Sequence, residues 1–397
     1  MKRLLRALLF CVGFCSIAQS PFAKGEIIDS ITVSGTSNES FALYLPNTYS
    51  ETHLSSILFV FDPLARGKVG IFPFVTAAEE HGFMVICSNN SRNGPMENNF
   101  QIAQRLFDHV FKNFNIKENG MYLAGFSGAA RLVTAIASLT DQFSGVLACG
   151  AGFSSNPNHS PSVQNYSYVG ICGDEDMNYQ EMLNNREYLK RLNFSSTLIT
   201  FNGNHRWPPP QQIEKAFNWI LLKKNQSPSS HIAKEDLMDR YRDDHAEVLS
   251  QEEAGELLFA AENYHRIIEN YSVFFGLDSV KAKYKNLLGS KEYIKAEKAL
   301  AQALETETVL LKKLHKRLME DLANPAKVDY NWWRKQFAGL DEKYYGADSE
   351  MQKMLARTKF SVFAAAYEKT NPDLQQSNSA QKEVSLTIRK IIYQKAN

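Results

Sequence analysis

The stretch Met121-Tyr-Leu-Ala-Gly-Phe-Ser127-Gly-Ala-Ala-Arg-Leu-Val133 constrains the fold of this chain more than any other. Tyr122 to Ala124 is apolar and reads as a buried strand, while Leu132, Val133, Ile136 and Leu139 recur at helical spacing. Between them Gly125-Phe126-Ser127-Gly128-Ala129 makes a sharp turn with a serine at its apex. Strand, turn and helix in that order are the context of a nucleophile elbow. Such a turn needs residues without bulk. Gly125 lets the strand backbone approach the helix, and Gly128 relieves crowding beside a strained serine. The hydroxyl is expected above the C-terminal edge of a sheet, at the positive end of the following helix. Ala129 stands where G-x-S-x-G has its last glycine, and its one methyl still permits close helix–strand packing.

The flanking sequence supplies the rest of such a sheet. Glu26–Val33 and Phe41–Pro46 alternate as two strands of a lead-in hairpin around the turn at residues 35–38. Ile57–Phe61, Phe83–Cys87, Gly145–Cys149, Tyr168–Cys172 and Thr197–Phe201 are short apolar runs, as expected of strands buried on both faces. Helical patterns fall between them at Phe72–His81, Ile102–Phe114 and Tyr179–Leu192. Gln211–Leu222 closes the series as a helix, with proline tolerated at its start. Strands alternating with helices predict a doubly wound, mostly parallel α/β sheet with ligands at the carboxyl ends of its strands.

A polar segment, residues 223–230, reads as a linker. Beyond it no strand pattern appears, and 254–271, 279–288, 292–322, 332–344 and 350–370 read as helices. Residues 231–397 are therefore expected to form an all-α region. Gly289–Leu300 resembles one helix–turn–helix unit of a tetratricopeptide-like repeat, but no clean period of about 34 residues emerges, so an irregular bundle is an equal alternative.

The N-terminus opens Met1-Lys-Arg-Leu-Leu-Arg6, followed by an apolar stretch from Ala7 to Ala18 that is too short for a comfortable membrane span. This pattern predicts a secretory signal peptide, residues 1–23, and a secreted or periplasmic product; a retained anchor helix is the alternative. No membrane span is expected once the signal is cleaved. Cys11 and Cys15 leave with it, and Cys87, Cys149 and Cys172 remain. Three cysteines without a Cys-x-x-Cys pair make neither a disulfide framework nor a zinc site. Cys149 and Cys172 end consecutive strands, so a bridge between them stays open at this stage. The net charge of +1 argues against a dedicated nucleic-acid binder.

A serine that transfers acyl groups needs a base to take its proton and an acid to hold that base. Both follow in order. Asp176 lies in Gly173-Asp-Glu-Asp176-Met-Asn-Tyr179 after the Tyr168 strand, and His205 in Asn202-Gly-Asn-His205-Arg-Trp-Pro208 after the Thr197 strand. Asp174 is the rival acid, and either aspartate can serve merely as a turn or cap residue. An oxyanion hole needs two N–H donors. Gly128 is one candidate; from the loop Asp62-Pro-Leu-Ala-Arg-Gly67, where Pro63 has no N–H, Leu64 is the other. Arg66, Asn90, Arg92, Asn93 and Trp207 sit on strand-end loops and are candidate substrate contacts, although solvated loop charges are the plainer reading of the arginines.

Phe61-Asp-Pro, Arg66-Gly67, Ser88-Asn-Asn-Ser-Arg-Asn-Gly-Pro95 and Ala124-Gly-Phe-Ser-Gly-Ala-Ala-Arg131 together resemble secreted bacterial α/β-hydrolases of the dienelactone hydrolase and polyhydroxybutyrate-depolymerase or feruloyl-esterase-like groups. Some of these carry C-terminal tetratricopeptide-like helices. The resemblance covers roughly residues 26–222. The acid loop G-x-x-D-x-x-Y, here Gly173–Tyr179, favours Asp176, and Gly-x-His205-x-Trp-Pro resembles the histidine loop. It implies an α/β-hydrolase fold and a carboxylic ester hydrolase with the triad Ser127, Asp176 and His205, needing no cofactor or metal. A serine peptidase on the same fold, and a non-catalytic protein whose helices bind a protein partner, are the alternatives. Only a short segment separates the Gly145 and Tyr168 strands, so no lid is inserted there. An open site for a bulky or polymer-borne ester is the expectation.

Overall fold

The computed structural model describes residues 22–161, 166–224, 234–371 and 377–394. Residues 1–21 of the expected signal peptide, with Cys11 and Cys15, and most of the expected linker lie outside them. Eight strands form one sheet: β1 (Ile27–Thr32), β2 (Ser40–Tyr44), β3 (Ser55–Phe61), β4 (Phe83–Ser88), β5 (Ile116–Phe126), β6 (Gly145–Cys149), β7 (Ser167–Gly173) and β8 (Ser196–Phe201). Their order is β1-β2-β4-β3-β5-β6-β7-β8. β2 runs antiparallel to both its neighbours, and every pair from β4 onward is parallel.

Helices cover both faces. A short helix, α1 (Gly67–Ile71), precedes the helix expected over Phe72–His81, which is present as α2 (Val75–His81), with Phe72–Phe74 forming a 3-10 turn that contains Pro73. α3 (Met96–Asn113), α4 (Gly128–Leu139), α5 (Tyr179–Arg191) and α6 (Pro210–Lys224) complete the wound sheet. Two apolar clusters result, one per face. One joins Phe59, Phe61, Leu123, Val133 and Phe107; the other joins Leu58, Val60, Ala124, Phe217 and Trp219. Successive strand residues point to opposite faces, so strands that serve both clusters must be apolar throughout.

The same alternation closes the question of a Cys149–Cys172 bridge. Cys149 pairs in register with Ile171, so Cys172 is one residue out of step and faces the other side of the sheet. Cys87, Cys149 and Cys172 are all buried free thiols.

From residue 234 onward every described element is helical: α7 (Lys234–Glu253), α8 (Leu257–Tyr271), α9 (Asp278–Leu288), α10 (Lys291–Ala323), α11 (Tyr330–Tyr344), α12 (Ser349–Glu368) and α13 (Ser379–Ile392). The helices differ widely in length, which departs from a regular tetratricopeptide-like repeat. A repeat of about 34 residues holds two helices, whereas α10 alone runs for 33 residues. Among the described residues no helix is long and apolar enough to cross a membrane.

The helices pack onto the sheet. β8 is an edge strand, and α8 covers its free edge. The Glu262 carboxylate accepts from Thr200 N at 2.8 Å and from Thr200 Oγ1 at 2.8 Å, and Arg266 Nη1 donates to Leu198 O at 3.0 Å. Further along, Leu300 and Leu304 of α10 pack against a cluster of Cys172, Tyr179, Met182 and Leu198. On α12, Arg357 is fully buried. Its Nε donates to Glu307 of α10 at 2.7 Å, and its guanidinium lies over the Tyr179 ring.

Candidate active site

β5 carries the chain into the elbow. Ser127 has φ 55° and ψ −123°, a strained left-handed conformation for a residue with a side chain. Its N–H donates to Cys149 O at 2.8 Å, which fixes the turn to β6. A Cβ at Gly125 would collide with the Ala129 backbone, so only glycine permits this approach of strand to helix. Ala129 itself is buried in the core, its methyl accommodated where the pattern usually has glycine.

Past β7, Asp176 is 1% exposed and accepts from Asn178 N at 2.8 Å. Both of its carboxylate oxygens face His205 Nδ1, at 2.9 Å and 2.8 Å. His205, on the loop after β8, turns its Nε2 to Ser127 Oγ at 2.9 Å. Hydroxyl, imidazole and buried carboxylate in this order form a relay that can remove the hydroxyl proton and return it.

Asp174 is placed elsewhere. Its Oδ1 accepts from Gly203 N at 3.1 Å, and its Oδ2 pairs with Lys353 Nζ of α12 at 2.7 Å. It holds the loop before His205 and ties the sheet to the helical half.

The loop after β3 is organised by Asp62, which is fully buried. Its Oδ1 accepts from Leu64 N at 2.9 Å and Arg66 N at 3.3 Å. Arg66 grips the carboxylate with Nε and Nη2, each at 2.9 Å, and Trp207 Nε1 donates to Oδ2 at 2.9 Å. Three expectations change on this account. Leu64 N–H is already committed and is not poised for an oxyanion. Arg66 is neutralised by an internal partner. Trp207 supports the site from beneath, packed on Phe126 with ring centroids 5.4 Å apart, rather than facing substrate. Asn90 is likewise structural, since it bonds Ser40 N and Asn38 O.

Arg92, Asn93, Ser127 and Gly128 do share one cavity of about 600 Å³. Its opposite wall comes from the helical half: His315 of α10 and Ser361, Ala364, Ala365 and Glu368 of α12. Phe360, next to this wall, packs against the His205 ring in a tilted arrangement, with centroids 5.4 Å apart and planes at 41°. The open face expected from the short β6–β7 connection is therefore walled by α10 and α12. The cover comes from more than a hundred residues downstream in the chain. Desolvation pushes the His315 pKa down, so its imidazole is held neutral, with Nε2 at 3.3 Å from Ser361 Oγ. Among the described residues no group of three or more His, Cys, Asp or Glu is arranged to hold a metal.

Strand order, a serine at φ > 0 between β5 and α4, and a histidine after the last strand define an α/β-hydrolase fold followed by a helical region. No family model and no curated protein matches the chain. Among solved structures it is similar to the fluorophosphonate-binding serine hydrolase F of Staphylococcus aureus in a substrate-bound form, at 18% identity and a TM-score of 0.43, over 50% of this chain and 99% of that one. The feruloyl esterase module of Clostridium thermocellum complexed with sinapinate is 13% identical with a TM-score of 0.41, over 52% and 90% of the two chains. Est1E from Butyrivibrio proteoclasticus is 12% identical with a TM-score of 0.38, over 50% and 98%.

Proposed function

We propose that the chain is a secreted or periplasmic serine hydrolase that cleaves carboxylic esters. The observation that carries this reading is the continuous contact from Ser127 Oγ through His205 to Asp176, set on a strained elbow. Ser127 attacks the ester carbonyl while His205 Nε2 takes the hydroxyl proton. The tetrahedral intermediate collapses, and the same imidazole gives that proton to the leaving alcohol. Water then enters, loses a proton to His205 and attacks the acyl-enzyme carbonyl, releasing the acid and restoring the Ser127 hydroxyl. Asp176 holds Nδ1–H and stabilises the transient imidazolium. The sequence of steps uses no cofactor or metal.

Residues 24–222 act as the catalytic unit in this reading, and residues 231–397 supply the far wall of its pocket. A cavity of about 600 Å³, with a polar patch at His315 and Ser361, suits an ester of moderate size bearing hydroxyl or carbonyl groups. The test is labelling with a fluorophosphonate and turnover of p-nitrophenyl acetate and butyrate, in wild type and Ser127→Ala. The expected result is labelling and ester turnover in wild type, and neither in the variant. Aminoacyl amides cleaved faster than esters would move the assignment to a peptidase, and an unlabelled wild type would overturn enzymatic function. N-terminal sequencing of the periplasmic product, expected to begin between residues 19 and 24, tests export.

A further inference from the structure

Ser88 to Pro95 is rich in amides and hydroxyls, and nearly all of them are spent on holding the loop. Ser88 Oγ accepts from Asn90 N and Ser91 N, each at 3.1 Å. Asn89 Oδ1 accepts from Gly67 N at 2.9 Å. Asn99, from the first turn of α3, accepts from Ser91 Oγ at 2.9 Å and Arg92 N at 3.2 Å, and donates to Arg92 O at 2.9 Å. Asn93 N donates to Pro63 O at 2.8 Å, which pins this loop to the one after β3. The Asn93 carboxamide is different. It has no hydrogen-bond partner among the described residues, it lines the cavity with Ser127, and it lies against Gly128 with Oδ1 nearest and Nδ2 farther out, so closely that a Cβ there would collide with it.

An oxyanion at the Ser127 ester carbonyl needs two donors. Gly128 N, the first amide of α4, has no acceptor among the described residues and is one. The loop after β3 cannot supply the second. Pro63 has no N–H, Leu64 N and Arg66 N are given to the Asp62 carboxylate, Ala65 N to Asp62 O, and Gly67 N to Asn89. We propose that the Asn93 side-chain amide, carried beside Gly128 by a backbone pinned to Pro63, is the second oxyanion donor of this site. Its Nδ2–H replaces a backbone donor that Asp62 has taken away, and it makes Asn93 a catalytic residue. This rests on the serine hydrolase reading.

The test compares wild type, Asn93→Ala and Asn93→Asp on p-nitrophenyl acetate, with binding of phenylboronic acid as a tetrahedral mimic and thermal melting as a control. Aspartate keeps the shape of asparagine but has no donor, so it separates donation from packing. Expected is a kcat loss of about 10²–10³-fold in both variants, nearly unchanged KM, weaker boronate binding and near-native melting. Retention of kcat within threefold in either variant overturns the proposal. So does a rise in KM at constant kcat with boronate affinity intact, which assigns Asn93 to substrate binding. Wild type that neither labels nor turns over ester condemns the hydrolase reading instead, a result that is distinct from both.

Discussion

Arg357, in the middle of α12, donates through Nη1 to the carbonyl oxygen of Asp174, 183 residues earlier in the chain, at 2.6 Å. The loop that carries Asp174 and Asp176 is thus bonded through its backbone to the helical half. Arg357 and Glu307 are both buried, at 0% and 1% side-chain exposure. Removing the arginine strands a carboxylate in a dry site, and Arg357→Ala should cost about 3–5 kcal/mol. Pairing Arg357→Met with Glu307→Gln should recover much of that, because neither group is then left charged and alone. Urea unfolding of the two variants checks this; a loss under 1 kcal/mol for Arg357→Ala would mean the latch is ornamental.

The two aspartates of the acid loop should separate cleanly. Asp176→Asn removes the carboxylate that holds His205 Nδ1, so kcat should fall about 10³–10⁴-fold with folding intact. Asp174→Asn should leave kcat within a few fold. It instead weakens the Lys353 ion pair and destabilises the protein by about 1–3 kcal/mol. The pair is read by steady-state kinetics alongside melting, and the reverse ranking would sink the assignment of Asp176.

Phe360 tests whether the helical half shapes catalysis. Its ring packs against His205 in a tilted arrangement, and aromatic contacts of this kind contribute about 0.5–1.5 kcal/mol. Phe360→Ala should lower kcat by about 2–10-fold with the melting point nearly kept. Leu at the same position should restore most of the packing. Unchanged kcat in the alanine variant would show that the roof does not steady the imidazole.

Burial pushes the thiol pKa values of Cys87, Cys149 and Cys172 up, because a thiolate cannot be solvated there. A thiol reagent at pH 8 should find none of the three in the native protein, and all three on unfolding. Rapid native-state modification of any one would contradict its burial.

His81 gives the protein a weakness in acid. Desolvation lowers its folded pKa, and the ring lies parallel to that of Phe217 with centroids 5.9 Å apart. The unfolded chain binds the proton first as pH drops through about 6.5, so the native state is stable above that value and loses stability as pH falls toward the folded pKa. His81→Phe should flatten the decline of Tm between pH 7 and pH 5. Superimposable Tm profiles would remove His81 from the account.

What the sequence made legible was whatever local pattern dictates. The apolar runs of β3, β4 and β6 are buried on both faces and announce themselves. The turn chemistry around Ser127, Asp176 and His205 put each at a strand end before any coordinates. The failures were failures of long-range contact. Nothing near Leu64 signals that Asp62 folds back on its N–H, and nothing near Phe360 signals that it reaches His205. The helix α7 escaped notice because only Leu237 and Val248 of its twenty residues are buried. The helix α13 also goes unread in the sequence analysis, although its pattern is local: Val384, Ile388, Ile391 and Ile392 follow helical spacing behind a capping box of Asn378 and Gln381.

The Glu262 and Arg266 side chains on β8 have a consequence for how the molecule holds together. A bare edge strand recruits another strand, and here the recruit is already present as two side chains of α8 on the donor and acceptor of Thr200 and Leu198. Residues 24–224 expressed by themselves would carry that edge uncovered, together with the greasy patch that Leu300 and Leu304 now occupy, and should stick to one another. A chain cut by protease between α6 and α7, by contrast, should travel through a sizing column as a single particle. The two halves are related less like beads on a string than like the subunits of an obligate heterodimer that happen to share a peptide bond.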